Sequence, residues 1–312
     1  MFNYRTNLGQ AEFENPIFTA SGCAGSGKEL SQFFNLTELG AVVTKSIMLK
    51  PRSGRATPRM AETPSGMLNS IGLQGPGIDQ FLEVDIPWLR EQGATIVVSI
   101  AGESAEDYAV LARKLRAVPG LAALEVNISC PNVENRGQVF ACHPASARAA
   151  IEAVRRNIGG ELPIIAKLTP DVTSIVEIAQ EVVAAGADAI ALINTVLGMV
   201  IDTNTMRPKL AGKTGGLSGP AIRPIAVRAI YQVHEAMPQV KILGMGGVSS
   251  GRDAFELILA GASAVSVGTA TFGNPTVVIN VKEELRKELI DHGFDSLREA
   301  IGYAHRSEGN LK

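Results

Sequence analysis

The residues best equipped for chemistry lie in one stretch, Glu125-Val-Asn-Ile-Ser-Cys-Pro-Asn132. Leu124, Val126 and Ile128 alternate with Glu125, Asn127 and Ser129, the two-residue period of a β-strand. A strand buried on both faces normally carries apolar residues on both, so three polar residues on one face need a reason. Pro131 then stops the ladder and leaves Cys130 at the strand's C-terminal end. It opens a loop running to Cys142 that holds Gly137 and several polar residues. In a parallel α/β barrel, that end is where catalytic groups sit. Cys130 alone is equally well explained as a buried structural thiol, and the neighbouring strand ends decide between the two readings.

Those ends are polar in turn. Candidate strands finish at Lys45, at Ser99, at Asn127 and Ser129, at Lys167, and at Asn194-Thr195. One such residue would be a satisfied core group, but five successive strands converging on one mouth make a polar ligand site. The two lysines suit a ligand that is anionic or develops negative charge. Farther on, Gly244-Met-Gly-Gly247 and Gly268-Thr269 end the last two strands. Glycine there lets backbone N–H groups approach an anion, and loops after strands seven and eight are the usual phosphate site of such a barrel. Gly215-Gly-Leu-Ser-Gly-Pro220 offers a further backbone donor before a helix.

The elements that would position these groups are short β-branched runs. There are eight: Pro16–Ala20, Ala41–Lys45, Thr95–Ile100, Ala123–Ile128, Pro163–Leu168, Asp188–Ile193, Lys241–Met245 and Ala264–Val267. Amphipathic segments at Gln80–Gln92, Ala105–Ala117, Pro144–Asn157, Thr173–Ala185, Ala221–Glu235, Ser249–Ala260 and Pro275–His292 separate them. Such alternation predicts a (β/α)8 barrel, with an open doubly wound sheet as the alternative. No linker or composition break divides the chain, so residues 1–312 read as one barrel domain. Three connections exceed the usual length of about two to six residues: Ser46 to Asp79, Cys130 to Pro144 and Asn194 to Gly219. All three follow strand C-terminal ends and should wall the mouth.

Composition excludes several classes. Basic and acidic residues nearly cancel, 29 against 31, and aromatics are 5%, which suits neither nucleic acid nor an anionic membrane surface. Three cysteines, Cys23, Cys130 and Cys142, fit a reducing, cytoplasmic setting and fall short of an iron–sulfur cluster's four thiolates. The N-terminus has no apolar h-region, and no apolar run approaches about 18 residues. Gly22-Cys-Ala-Gly-Ser-Gly27-Lys28 nearly matches a triphosphate-binding loop, but Glu29 stands where Ser or Thr should bind magnesium. No Gly-x-Gly-x-x-Gly opens a helix after a strand, so no dinucleotide domain is visible. His143, His234, His292 and His305 show no metal spacing and read as solvated.

The ordered set Thr19-Ala-Ser-Gly22, Thr44-Lys-Ser46, Asn69-Ser-Ile-Gly-Leu73, Asn127-Ile-Ser-Cys-Pro-Asn132, Lys167, Ile193-Asn-Thr195, Gly215-Gly-Leu-Ser-Gly-Pro220, Gly244-Met-Gly-Gly247 and Gly268-Thr269 resembles the class 1 dihydroorotate dehydrogenases. These are flavin enzymes of pyrimidine synthesis. Cysteine in Ser-Cys-Pro-Asn resembles class 1, since class 2 enzymes use serine there, and Gly-Gly-Leu-Ser-Gly-Pro resembles the 1B subgroup. The resemblance implies FMN in the mouth, its phosphate on Gly246, Gly247, Gly268 and Thr269 with Gly219 close by. Ser21, Lys45, Ser46, Asn127, Lys167 and Ile193 would line the flavin. Ser99 stands where asparagine is expected at the flavin, and Thr195 where serine is more usual. Dihydroorotate would be held by Lys45, by Asn69, Ser70, Ile71, Gly72 and Leu73, and by Asn127, Asn194 and Thr195. The 1B resemblance further implies a homodimer within a heterotetramer, completed by an electron-transfer subunit carrying FAD and a [2Fe-2S] centre and passing electrons to NAD.

Residue chemistry fits that implication. Oxidising dihydroorotate removes a C5 proton and a C6 hydride, and a thiolate of lowered pKa at Cys130 is a competent base. Lys45 would act beside it on the substrate. Lys167 would stabilise an anionic reduced flavin, and the amides of Asn69, Asn127 and Asn194 match a ring of alternating N–H and C=O. A fumarate-using 1A enzyme, a dihydropyrimidine dehydrogenase-like protein and a flavin-free phosphate-binding isomerase or synthase are the competing readings. Replacing Cys130 by alanine is expected to leave FMN and orotate binding intact and slow flavin reduction by dihydroorotate by about two orders of magnitude or more. Near-normal reduction in a stopped-flow trace would remove Cys130 as the base.

Overall fold

The computed structural model describes residues 2–129, 142–160 and 162–306. Cys130, Pro131 and Asn132 lie outside them, with the rest of the loop to residue 141. Eight parallel strands carry the fold: β1 (Ile17–Thr19), β2 (Val42–Val43), β3 (Ile96–Ile100), β4 (Leu121–Asn127), β5 (Ile164–Lys167), β6 (Ala189–Leu192), β7 (Lys241–Met245) and β8 (Ala264–Val267). They pair in the order β1-β8-β7-β6-β5-β4-β3-β2. A Phe18–Ala41 bridge joins the two ends, so the sheet closes into the barrel that the sequence predicts. Each of the eight apolar runs is a strand whose ends fall within two residues of the expected ones.

Alternation along each strand divides the core in two. Ile96, Val98 and Ile100, Leu124 and Val126, Ile164 and Ala166 pack outward against the helices. Their neighbours Val97, Ala123, Ile165, Ala189, Leu243 and Ala264 meet inside the barrel. The interior is closed at its lower end by a hairpin of Thr6–Leu8 and Ala11–Phe13, which brings Leu8 and Phe13 beneath the strands. The Phe13 and Phe18 rings meet there at 4.7 Å. Two residues farther up, the same face turns polar on five of the strands: Val43 gives way to Lys45, Val97 to Ser99, Ala123 to Glu125, Ile165 to Lys167 and Ala264 to Ser266, while β1, β6 and β7 keep Ala20, Ala191 and Met245 there.

All seven amphipathic segments are helical: Ile78–Glu91 (with a π-helical turn at Phe81–Asp85), Ala105–Arg116, Pro144–Ile158, Ile175–Ala184, Arg223–Ala236, Gly251–Ala260 and Val277–Asp291. Caps start several of them. The Ser104 and Ser174 hydroxyls accept from backbone N–H groups of the first turn, and Ser250 forms a capping box with Asp253. After β1 the chain makes only short 3-10 turns at Leu30–Gln32 and Leu36–Glu38. Gly22, Gly25 and Gly27 all have positive φ there, a backbone that cannot continue a helix. Lys28 of the near-miss triphosphate loop pairs with Asp85 at 3.1 Å and lies over Trp88. Among the described residues no helix is long and apolar enough to cross a membrane.

Two of the three long connections are ordered differently from plain walls. Met60–Thr63, Gly66–Asn69, Thr214–Ser218 and Val196–Met199 pair as a four-stranded antiparallel sheet over the mouth. Gly215 and Gly216 sit inside its third strand and do not serve as donors at a helix start. A side chain at Gly216 would meet Thr195 Oγ1 at 2.0 Å, and one at Gly215 would meet the Asn69 carbonyl at 2.7 Å. Glycine lets this sheet settle onto two expected site residues.

The histidine expectation fails for two of four. His143 and His292 are exposed, but His234 and His305 are half-buried. Their rings lie 4.8 Å apart, and His305 stacks on Tyr231 at 3.8 Å. Burial, with smaller contributions from His305 and Lys241, holds the His234 pKa below its ordinary value. Helix periodicity could not reveal this contact, because it joins the 223–236 helix to a short turn near the C-terminus.

Candidate active site

The polar layer opens into two connected chambers at the C-terminal ends of the strands. The larger, about 690 Å3, is lined by Ser21, Ile193, Gly219, Gly246, Gly247 and Gly268 among others. The smaller, about 360 Å3, is lined by Lys45, Ser46, Asn69, Ile71, Gly72, Leu73 and Asn127. Ser21, Lys167, Asn194, Thr195 and Thr269 face both. Gly219, Gly246, Gly247 and Gly268 thus line only the larger chamber and Lys45, Asn69 and Asn127 only the smaller, with Lys167, Asn194, Thr195 and Thr269 where the two meet.

Among the described residues, two expected site residues line neither chamber. Ser99 is fully buried behind the wall, its Oγ 2.8 Å from Ser46 Oγ. Ser70 is also fully buried and accepts from Arg55 Nη1 at 3.1 Å. Both support the site from behind: Ser70 anchors the loop that presents Asn69, Ile71, Gly72 and Leu73. In that loop Leu73 takes a left-handed backbone, with φ of 54°, a conformation a β-carbon disfavours.

The amides are held by their neighbours. Asn127 Nδ2 donates to Ser46 Oγ at 3.0 Å, while its Oδ1 accepts from the Ser129 N–H at 3.2 Å and the Ser129 hydroxyl at 2.8 Å. Asn194 Nδ2 donates to Ser129 Oγ at 2.8 Å, and its Oδ1 accepts from the Thr195 N–H at 2.8 Å. Ser129 therefore ties the amide of Asn127 on β4 and that of Asn194, just beyond the end of β6, into one assembly. Tyr108, from the 105–116 helix, donates its hydroxyl proton to the Asn127 carbonyl at 2.8 Å. Asn69 Nδ2 reaches the Gly216 carbonyl at 3.4 Å.

Lys167 is 4% exposed and Glu125 is fully buried. The ammonium donates to Ser21 Oγ at 3.0 Å and stands 3.9 Å from Glu125 Oε1. A charge that deep is tolerated only with a partner, and removing one member of such a pair costs about 3–5 kcal/mol.

The glycine end fits a phosphate-bearing ligand. Gly246 and Gly247 have φ of 133° and 71°, and a side chain at Gly247 would meet the Gly219 carbonyl at 2.8 Å. Thr269 Oγ1 bonds Ser218 Oγ at 2.7 Å. Ser266 Oγ is buried on the wall of the larger chamber without a partner among the described residues. An orphaned hydroxyl, a glycine cradle and a buried lysine together form the donor set that an anionic, hydrogen-bonding cofactor such as FMN requires.

Several lining residues escaped the sequence reading. Met60, Met67 and Phe272 form apolar walls, Phe272 being 54% exposed at the mouth. No local pattern marks them, because they sit on the cap sheet and a 3-10 turn. Cys23 lines both chambers. The strand-end rule that selected Lys45 would have found it, had Gly22 to Lys28 not been read as a nucleotide-loop decoy.

A family model described as Dihydroorotate dehydrogenase matches residues 4–289. The chain is 48% identical over 296 residues to the dihydroorotate dehydrogenase B (NAD(+)) catalytic subunit of Desulforudis audaxviator, spanning 95% of each chain. It is 46% identical over 303 residues to the subunit of that name from Desulforamulus reducens, covering 97% of this chain and 99% of the relative. For the Trichlorobacter lovleyi subunit the identity is 48% over 295 residues, 95% of this chain and 96% of the relative.

Burial raises the Cys23 thiol's pKa, and the Lys167 and Lys45 ammonium groups only partly oppose it. A raised pKa keeps the thiol protonated through neutrality, so the reactive thiolate appears only in alkali. In peptide-mapped labelling with iodoacetamide, the Cys23 rate should still climb about tenfold per pH unit beyond the ordinary thiol value of about 8.5. A plateau below that value would contradict the assigned environment.

Proposed function

Since this chain belongs to the dihydroorotate dehydrogenase family, we propose that it is the catalytic subunit of a class 1B enzyme, oxidising dihydroorotate to orotate in pyrimidine synthesis. The observation that carries this reading is the order of the two chambers: Lys45, Asn69 and Asn127 at one end, the backbone of Gly219, Gly246, Gly247 and Gly268 at the other, with Lys167 facing both. When bound, FMN would supply the hydride acceptor, and Gly246, Gly247, Gly268 and Thr269 would hold its phosphate. Ser21, Lys45, Ser46, Ile193 and Gly219 complete its surroundings. Residues 1–312 act as one FMN-binding unit.

Lys45, Asn69, Asn127, Asn194 and Thr195 bind and orient the substrate, each amide offering a donor and an acceptor to its ring. The backbone of Ile71, Gly72 and Leu73 closes one side of the smaller chamber. The cap sheet, with Met60 and Met67, limits access of water. Cys130 removes the C5 proton; its role follows from the Ser-Cys-Pro-Asn sequence, since its position is outside the described residues. Lys167 places positive charge where negative charge develops during reduction.

Electrons leave through a partner. The relatives are named catalytic subunits of NAD(+) enzymes, and this chain shows no dinucleotide fingerprint. The partner carries FAD and a [2Fe-2S] centre, and the assembly is a heterotetramer around a homodimer of this chain, in the cytoplasm.

The purified, FMN-loaded chain should pass electrons from dihydroorotate to a small artificial acceptor while leaving NAD untouched, and added partner should restore NAD reduction. Robust NAD reduction by the chain alone would overturn the partner reading. Strong activity with fumarate would move the enzyme to class 1A, and a protein that takes up no FMN would favour a flavin-free barrel.

A further inference from the structure

Among the described residues, Glu125 is the one charged group of the barrel interior that the proposed chemistry leaves unused. It is fully buried, lines neither chamber, and its Oε2 has no hydrogen-bond partner among the described residues. An ionised carboxylate in such surroundings is costly, so its presence calls for a reason. Two contacts lead from Oε1 toward the site. One is to Lys167 Nζ at 3.9 Å. The other is the hydrogen bond it accepts from Ser99 Oγ at 2.7 Å.

The second contact gives the neighbouring network a direction. A carboxylate only accepts, so the Ser99 proton is committed to Glu125. Ser46 must then donate to Ser99 across their 2.8 Å contact, and Ser46 Oγ accepts from Asn127 Nδ2 at 3.0 Å. That leaves Asn127 Oδ1 toward Ser129, where two donors meet it. Two serine hydroxyls alone could point their protons either way, and the carboxylate removes that freedom.

We propose that Glu125 is a positioning residue, holding the Lys167 ammonium in place and, through Ser99 and Ser46, fixing which way the Asn127 amide faces. The inference rests on the flavin-and-dihydroorotate reading above, because Lys167 and Asn127 are the groups that reading sets against cofactor and substrate. Glu125 touches neither ligand and acts through these two residues. Its negative charge also offsets part of the field that Lys167 presents to the larger chamber.

The test is a redox titration of the chain at saturating FMN. Glu125→Gln keeps the side chain's size and removes its charge, leaving Lys167 unopposed. The two-electron equilibrium constant for flavin reduction should rise about tenfold, an upward shift of about 30 mV in midpoint potential. In a Lys167→Met background the same substitution should shift the potential by much less, since the charge through which it acts is gone. A purely structural glutamate would lower the melting temperature in both backgrounds without this coupling. An unchanged potential in Glu125→Gln, or equal shifts in both backgrounds, would overturn the proposal. If Glu125→Gln alone does not fold, Glu125→Gln/Lys167→Met should, because neither charge then remains unpaired. Failure of that double variant while Lys167→Met folds would also overturn it. A wild-type chain that takes up no FMN defeats the functional reading instead, so the two failures are distinguishable.

Discussion

A lysine ammonium at 4% exposure beside a fully buried glutamate, inside a closed barrel, is the constraint on which the rest of this structure depends. Charges are tolerated there only when paired and hydrogen-bonded. The surrounding layer supplies those partners. Ser21 accepts from Lys167, Ser99 donates to Glu125, and Ser46 and Asn127 continue the network to the chamber wall. The barrel can hold this layer because its lower half is dry: the interior residues below, with Leu8 and Phe13 of the hairpin, form a continuous apolar plug. The apolar end stabilises the fold, and the polar end is free to be shaped for ligands.

The division by height along the strands produces the division of labour at the mouth. Strands β2, β4 and β5 raise Lys45, Asn127 and Lys167, while the turns after β7 and β8 contribute backbone at Gly246, Gly247 and Gly268. Between them the cap sheet brings Asn69 against Gly216 and settles over Thr195. Positioning is therefore shared between strands, which are rigid, and a small sheet that packs closely only where glycine allows.

Much of this was legible in the sequence, for a physical reason in each case. The strands were visible because parallel barrel strands are buried on both faces and read as apolar runs. Their polar ends were visible because a polar residue inside such a run is costly. Distinguishing the chamber wall from the layer behind it was beyond sequence: Ser99 and Ser70 carry the same signature as Ser46 and Asn69, and only the packing sets them back. The cap sheet was missed because its strands are short, rich in glycine and joined across more than a hundred residues, with little alternation to read. The His234–His305 contact stayed hidden for the same reason of distance along the chain. Glu125 was visible as an anomaly on a strand face, but its purpose depends on distances to Lys167 and Ser99.

The central claim is that the polar barrel mouth holds FMN and delivers dihydroorotate to it. Anaerobic rapid mixing of the FMN-loaded chain with dihydroorotate, followed in the visible flavin band, tests this most directly. The account predicts that the band bleaches and that orotate forms in equal amount. A yellow protein whose absorbance is indifferent to dihydroorotate would contradict it.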